Sequence, residues 1–424
     1  MENNKTLVAG TGSSLVVDNC QVCSNPDLDP ILFVGYLPPV NLMLPINSQP
    51  QEQPAYPAQW LSCPNCHLVQ LGLIVDPQIL FPASYPYTSS TTKILRENFA
   101  ELYKECRELI EVGPDDLVVD IGSNDGNLLS NFADAHRVQG ITPEDIGNIA
   151  IERGIPTLLS YFDSKAVAKI VEDQGRAKVV TITNAFAHIE NIHDIVEGII
   201  ELMTPDGVFI SESHYLASLI ETLQYDTIYH EHLRYYSVHS LNHLLNMHDL
   251  EIFHVKRIPT HGGSIRVYAS RKGKYTKLSS VDALMVEEEK ILDKQQLLKF
   301  KERVVLSKLE LHALLLNLKK NGHRIYGIGA PSRASTLINY AGIDDGIVDY
   351  VLEIKGSYKI GNYVPGTLIP IIEESKLFDD QPDYALLFSW HIADELAPKL
   401  KEKGFKGDFI IPLPTPRILR GSEV

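Results

Sequence analysis

The sequence predicts an α/β chain built on a doubly wound sheet, with a metal-stapled unit before it and a second α/β unit after it. Three observations lead there. Two CxxC pairs stand near the N-terminus, a strand–glycine turn–helix pattern opens a series of alternating strands at 117–132, and a second such pattern stands at 324–339. The 424 residues are too many for one core. The expected divisions are 1–80 for the metal-stapled unit, 81–275 for the central sheet, 276–320 for a helical linker and 321–424 for the second α/β unit.

Composition narrows the function before any motif does. The formal charge of -16 argues against a nucleic-acid backbone as the main partner, because phosphate chains need a basic face. It leaves room for a small anionic ligand in a local positive pocket. No run approaches the roughly 18 apolar residues of a membrane span. The opening MENNKTLVAG lacks a basic region followed by an apolar stretch, so a cytoplasmic location is expected.

Cys20-Gln-Val-Cys23 and Cys63-Pro-Asn-Cys66 are two knuckles, each able to turn two thiolates onto one ion. Two knuckles complete the tetrahedral sulfur shell of a closed structural zinc site, so the metal is assigned to folding and not to chemistry. A redox pair or an iron–sulfur site is the competing reading. His67, directly after the second knuckle, reads as a polar neighbour, and Cys106 as a small helix residue.

LVVDIGSNDG at 117–126 is a short buried strand ending near Asp120, then a small-residue turn from Gly122 to Gly126. Asn127–Phe132 should continue as a helix with Leu128, Leu129 and Phe132 inward. This arrangement brings backbone close to a nucleotide at the carboxyl end of a sheet. VQGITPED ends the next strand with acids roughly 20 residues past the turn, where ribose is held in such folds. AKVVTITNAFAHI and LMTPDGVFISES supply further strands, and the alternation implies a parallel sheet.

This stretch resembles the S-adenosylmethionine methyltransferase fold, on the Asp120–Gly126 turn and the Met203-Thr-Pro-Asp-Gly-Val-Phe209 segment. The resemblance implies that Gly122, Asn124 and Gly126 lie against the methionine part of the cofactor, with Asp120 at the strand tip. Where that family carries a ribose-binding acid, this chain has Thr142. Either Glu144, the favoured substitute, reaches in from the next turn, or the ribose is held more weakly.

DTIYHEHLRYYS at 226–237 concentrates ionisable and tyrosine side chains. On an extended segment His230 and His232 would share a face, with Tyr229 and Glu231 on the other. A histidine beside a carboxylate suits a general base. Metal binding by His-Glu-His and a surface loop are the alternatives.

Tyr229-His-Glu-His232, the aromatic pair after it and His261-Gly-Gly-Ser-Ile-Arg-Val-Tyr268 are similar to the sugar C-methyltransferases of deoxysugar pathways. The likeness runs over nearly the whole chain. It implies a zinc domain, a methyltransferase domain and a C-terminal Rossmann-like domain. His232 corresponds to that family's general base, with Tyr229 and Glu231 as its supporting pair. Tyr85-Pro-Tyr87-Thr-Ser-Ser90 matches a segment contributing to cofactor and sugar binding, which implicates Tyr87 for the cofactor and Tyr85, Ser89 and Ser90 for the sugar, and the His261–Tyr268 match adds His261 to the sugar side. The implied reaction is removal of a proton beside a ketone of a nucleotide-linked keto-sugar, followed by attack of the enolate carbon on the sulfonium methyl. A tyrosine, Tyr229 or Tyr87, would stand near the carbonyl oxygen. Other classes compete: methylation of an oxygen or nitrogen acceptor, an inactive zinc-containing binding protein, and an NAD-dependent oxidoreductase. The chain is expected to be a monomer or homodimer.

In the linker, Ile291, Leu298, Val305, Leu309 and Leu316 recur at roughly helical spacing, which predicts one or two long helices. Glu287, Glu288 and Glu289 read as a solvated face. RIYGIGAPSRASTLIN at 324–339 is a strand running into a glycine turn and a helix beginning near Ser332. A helix N-terminus there suits a phosphate, and Arg333 would add bidentate contacts to a pyrophosphate, with Ser332 and Ser335 beside it. An ordinary strand–helix turn with a solvent-facing arginine is the plainer alternative. The resemblance implies that this domain helps hold the nucleotide sugar. Glu353, at the end of the next strand, keeps an NAD reading open.

Overall fold

A computed structural model describes residues 8–9, 14–49, 51–81 and 89–424. Tyr85 and Tyr87 lie outside the described residues.

The central sheet has seven strands. In spatial order they are Leu250–Ile258, Ser264–Arg271, Met203–His214, Ala177–Thr183, Leu117–Ile121, Arg137–Thr142 and Thr157–Leu159. The last five pair in parallel, and their apolar sequences match a sheet covered on both faces. Ser264–Arg271 runs antiparallel to both its neighbours. The sheet is therefore not wholly parallel. Only a short turn at 259–263 joins Ile258 to Ser264, and so short a link permits only an antiparallel hairpin. The Thr-Pro-Asp-Gly turn is looped out of register between the Ala177–Met203 and Val179–Val208 pairs, and the strand proper follows it.

The helix expected after Gly126 is a single turn, Leu129–Asn131, held by i→i+3 bonds. Ten residues separate Gly126 from the next strand at Arg137, too few for several turns and a return. Leu128, Leu129 and Phe132 still point into the core.

The knuckle segment carries a four-stranded antiparallel sheet. Its strands are Asp29–Leu37, Tyr56–Ser62 and Val69–Leu71, with Arg234–Tyr235 added from the middle of the chain. The C-terminal sheet has six strands, ordered Ile371–Glu373, Val351–Glu353, Ile325–Ile328, Tyr384–Leu387, Asp408–Ile411 and Arg417–Leu419, the last antiparallel. One continuous apolar core joins Trp60, Leu71 and Val34 of the first sheet to Ile328 of the last, to Leu337 on the helix after it and to Phe388 just past its Tyr384–Leu387 strand. The N-terminal and C-terminal units thus pack on each other, and Tyr225, Ile228 and Tyr235 of the 225–237 region share that core.

The linker is two helices, Ser279–Glu288 and Lys294–Lys320. The long helix buries Leu297, Phe300, Val304, Leu311, Leu315 and Leu318. Leu298, Val305, Leu309 and Leu316, the residues that periodicity selects, lie on its exposed face. The helix carries two apolar stripes, and packing decides which one is covered. Glu288 is also misread as solvated. It is fully buried, and its carboxylate accepts from Val238 N at 2.6 Å, His239 N at 3.0 Å and His239 Nδ1 at 2.6 Å, capping the Val238–Met247 helix. Glu287 pairs with Arg257 on the surface. Among the described residues no helix is long and apolar enough to cross a membrane.

Candidate active site

The metal knuckles come first in the chain. Sγ of Cys20 stands 3.4 Å from that of Cys66, Sγ of Cys23 stands 3.5 Å from that of Cys63, and all four lie within 4.8 Å of one another. A tetrahedron with Zn–S near 2.3 Å has sulfur–sulfur edges of roughly 3.8 Å, so the four thiols fit a closed zinc site. The local turns explain the convergence: Ser24 N bonds to Cys20 O at 2.9 Å and His67 N to Cys63 O at 3.0 Å. Ser24 and His67 take φ of 58° and 59° to close them. His67 packs edge-on against His239, away from any ligand role among the sulfurs.

The glycine turn at 122–126 is shaped by backbone. Gly122, Asn124 and Gly126 all have positive φ, at 74°, 50° and 75°. A Cβ on Gly126 would stand 3.0 Å from that of Ala150, and one on Gly122 would stand 3.1 Å from that of Ala185. Ser89 seals the turn, its N–H donating to Asn124 Oδ1 at 2.9 Å and its hydroxyl to Asp125 Oδ1 at 2.6 Å. Ser89 therefore sits against the 122–126 turn, while the Ser90 carbonyl accepts from Arg96. Four buried polar atoms around the strand ends, Ser123 Oγ, Asn127 Nδ2, Asn184 Oδ1 and Ser213 Oγ, have no partner among the described residues. Orphaned polar groups are costly in a core, and this set suits a polar ligand at the crevice. The residues present therefore fit S-adenosylmethionine.

Asp120 is buried and accepts from Thr181 Oγ1 at 2.6 Å, which turns one oxygen into the sheet. Burial pushes its carboxyl up to about 7. Thr142 Oγ1 donates to Glu144 Oε2 at 3.1 Å, so the Glu144 carboxylate stands at the Thr142 position, and burial raises its pKa.

The Tyr229–His232 segment is a tight turn, not an extended strand. His232 N bonds to Tyr229 O at 3.0 Å. The two histidines consequently diverge. His230 turns toward Pro57 O, 3.3 Å away, and the Tyr56 ring. His232 faces Tyr229, with ring centroids 4.2 Å apart. Tyr229 and His232 thus share a side, contrary to the alternation expected of a strand.

His232 Nδ1 lies 2.8 Å from the Thr227 carbonyl oxygen. A carbonyl can only accept, so Nδ1 carries the proton and Nε2 holds the lone pair. The orienting group is thus Thr227 O, where a carboxylate was expected. Glu231 instead accepts from Asn41 Nδ2 at 2.7 Å, bringing the N-terminal unit to the site. Burial, and then His188 beside it, holds the His232 pKa well below its ordinary value. Burial likewise keeps the Tyr229 hydroxyl protonated, its pKa well above 10.

Sequence reasoning missed two residues here. His188 and His214 rings lie 5.0 Å and 4.4 Å from that of His232. His188 follows, and His214 ends, two adjacent parallel strands at their carboxyl ends, the place where ligands bind in open α/β sheets, and that rule applied to NAFAHIE and SESHYL would have found them. His261 joins from the other side, its ring 5.7 Å from His214. It sits in a turn at φ 56°, beside Gly262 and Gly263, where a Cβ would meet Gln224 at 2.7 Å and Ser218 at 2.6 Å.

Arg333 requires correction. It is 7% exposed, and its guanidinium fork is taken by Asp226, with Nε to Oδ2 at 2.8 Å and Nη2 to Oδ1 at 2.7 Å. A buried arginine is most stable beside a matched carboxylate, and the bidentate face is no longer free for a pyrophosphate. Ser332 is the first residue of the Ser332–Ala341 helix and is half-buried, and Ser335 is buried. Glu353 Oε2 accepts from Ala330 N at 2.8 Å and Oε1 from Ile354 N at 3.0 Å, so its carboxylate serves the turn's own backbone rather than a ribose.

Comparison with known proteins adds a family frame. Residues 20–81 match the profile of a zinc binding domain, 93–255 that of a methyltransferase domain, and 259–414 that of the C-methyltransferase C-terminal domain. The chain is 31% identical over 409 residues to the C-methyltransferase NovU of Streptomyces niveus, covering 95% of this chain and 97% of that one. Two solved structures align with the central part. An S-adenosylmethionine-dependent methyltransferase from Anabaena variabilis is 15% identical, over 43% of this chain and 86% of that one, with a TM-score of 0.34. Magnesium protoporphyrin IX methyltransferase from Synechocystis is 13% identical, over 42% and 83%, with a TM-score of 0.33.

Proposed function

This chain belongs to the C-methyltransferase family, as an S-adenosylmethionine-dependent enzyme with an N-terminal zinc-binding domain, and from that premise we propose that it methylates the carbon beside the ketone of a nucleotide-linked keto-deoxysugar. S-adenosylmethionine, when bound against the Gly122–Gly126 turn with Glu144 toward its ribose, supplies an electrophilic methyl group. This chain's own residues do the rest.

A carbon beside a ketone becomes nucleophilic only when its proton leaves. The Nε2 lone pair of His232 takes that proton. Nδ1 stays bonded to Thr227 O, so the imidazolium that forms keeps its orientation. The Tyr229 hydroxyl, ring-on-ring with His232, donates to the developing enolate oxygen. His188, His214 and His261 surround the same space with neutral rings, each lowered chiefly by burial. Neutral neighbours leave room for the one positive charge the reaction creates. The enclosure also excludes water, which would compete for the enolate by returning a proton.

One observation carries this reading: the Thr227 carbonyl fixes the His232 tautomer with its base nitrogen free. The test is a mass-spectrometric screen of nucleotide keto-sugars with methyl-labelled cofactor, followed by product analysis. A labelled carbon–carbon bond is expected, and a label on oxygen or nitrogen would refute the carbon assignment. His232→Ala should lower turnover by roughly 10²- to 10⁴-fold, the usual contribution of a positioned base, with cofactor binding retained. Near-normal turnover would remove His232 from the role.

A further inference from the structure

The carbonyl that orients His232 belongs to a three-residue helical turn, Tyr225–Thr227, and that turn is held from outside the methyltransferase sheet. Asp226 is fully buried at its centre. Its carboxylate takes both arms of Arg333 and also Trp390 Nε1, which donates to Oδ2 at 2.8 Å. The Arg333 guanidinium lies over the Trp390 ring, 5.1 Å from its centroid. Arg333 Nη2 reaches Gln224 Oε1 at 3.1 Å, and Thr336 Oγ1, one turn further along the same helix, donates to Ile228 O at 3.1 Å. Arg333, Thr336 and Trp390 all come from the C-terminal domain, and their shorter bonds go to residues 224–228, while Arg333 Nη1 makes only longer contacts, 3.4 Å each, to His261 O and His391 Nδ1. Thr227 O, inside that grip, accepts from both His232 Nδ1 and Tyr235 Oη.

We propose that the Arg333–Asp226 pair is a positioning device for the reaction, by which the C-terminal domain fixes the Thr227 carbonyl and so aims the His232 lone pair. The inference rests on His232 being the base. Arg333 and Asp226 are positioning residues that act through Thr227 and touch no reacting atom. The physical reason is the sensitivity of proton abstraction to aim: an error of about 1 Å costs roughly 100-fold in rate. A lone three-residue turn has little stiffness of its own. A planar, two-armed ion pair in a dry interface holds it in one place, and Arg serves where Lys would not, because the ammonium lacks the fork.

The test compares Asp226→Asn, Arg333→Lys and Trp390→Phe in the full-length, zinc-loaded enzyme. Trp390→Phe removes one bond to Asp226 and keeps most of the packing, so it serves if the other two fold poorly. Steady-state kinetics should show kcat reduced by roughly 10- to 100-fold in the first two and less in the third, with KM for the nucleotide sugar and Kd for S-adenosylmethionine within about twofold. The double variant Asp226→Asn/Arg333→Lys should be no worse than the weaker single one, because both break one pair. Ring-nitrogen NMR of labelled histidine, with His232→Gln to assign the signal, reads the tautomer without any turnover. The His232 ring should lose its Nδ1–H signature in Asp226→Asn. A raised KM with unchanged kcat in Arg333→Lys would overturn the proposal and make Arg333 a diphosphate ligand. Wild-type kcat together with a wild-type ring signal in Asp226→Asn would also overturn it. Normal turnover by His232→Gln would instead sink the base assignment, and the ring signal would then show separately whether the clamp orients the imidazole.

Discussion

Replacing His230 by leucine should make the protein less sensitive to acid while leaving methyl transfer intact. His230 is 1% exposed, its Nδ1 has no partner among the described residues, and burial lowers its pKa to about 4. In the unfolded chain the same ring titrates near 6.5. Its folded value is depressed, so its share of stability is complete above about 6.5 and is lost as pH falls from there toward about 4. Between pH 7.5 and 5.5 the unfolded chain takes up nearly one more proton than the native one at this ring, which favours unfolding by about 1.3 kcal/mol. His230→Leu deletes this contribution and also deletes an unsatisfied buried nitrogen. The assay is urea unfolding at pH 7.5 and 5.5 with zinc saturating, followed by fluorescence of the fully buried Trp60 in the adjoining sheet. The variant should lose about 1.3 kcal/mol less than the parent over this interval. Equal losses, or a larger loss in the variant, would refute the reasoning. A large fall in kcat would show that His230 belongs to the chemistry after all.

Three further outcomes follow from other parts of the structure. Because burial holds His232 well below 6.5, kcat should show no acidic limb near that value, and a pH–rate profile with an apparent pKa of about 6.5 in the enzyme–substrate complex would contradict the buried neutral ring. Gly126→Ala forces a side chain into φ +75° and to 3.0 Å from Ala150 Cβ, so calorimetry should find S-adenosylmethionine binding weakened by roughly tenfold. Cys63→Ser removes one of four converging thiols, and metal analysis should find bound zinc lost together with a lower melting temperature, whereas unchanged zinc content would deny the four-sulfur site.

Some of this was legible in local sequence. The knuckle spacing placed four thiols around one point. The Asp120–Gly126 segment announced its turn because only small residues tolerate those backbone angles. Alternating apolar runs gave the central sheet, and the Tyr229–His232 cluster was too polar to be packing alone. Each of these is a property of neighbours in the chain, and short-range sterics and charge suffice to state it.

Tertiary structure decided the rest, because it rests on contacts between residues far apart in sequence. Local spacing made Arg333 a phosphate ligand, yet its partner, Asp226, lies 107 residues away. The long linker helix carries apolar side chains on two faces, and only the sheet packed against Phe300 and Leu311 shows which face is core. Glu288 looked solvated among two other acids until the Val238–Met247 helix brought its N-terminus against it. His214 ends one strand and His188 lies in the loop after its neighbour, and only parallel pairing puts those two strand ends side by side beside His232. The sequence by itself determined which chemical groups the chain carries and how each short segment bends. Burial of apolar surface from distant segments, which has no directional code in any one of them, determined which groups meet.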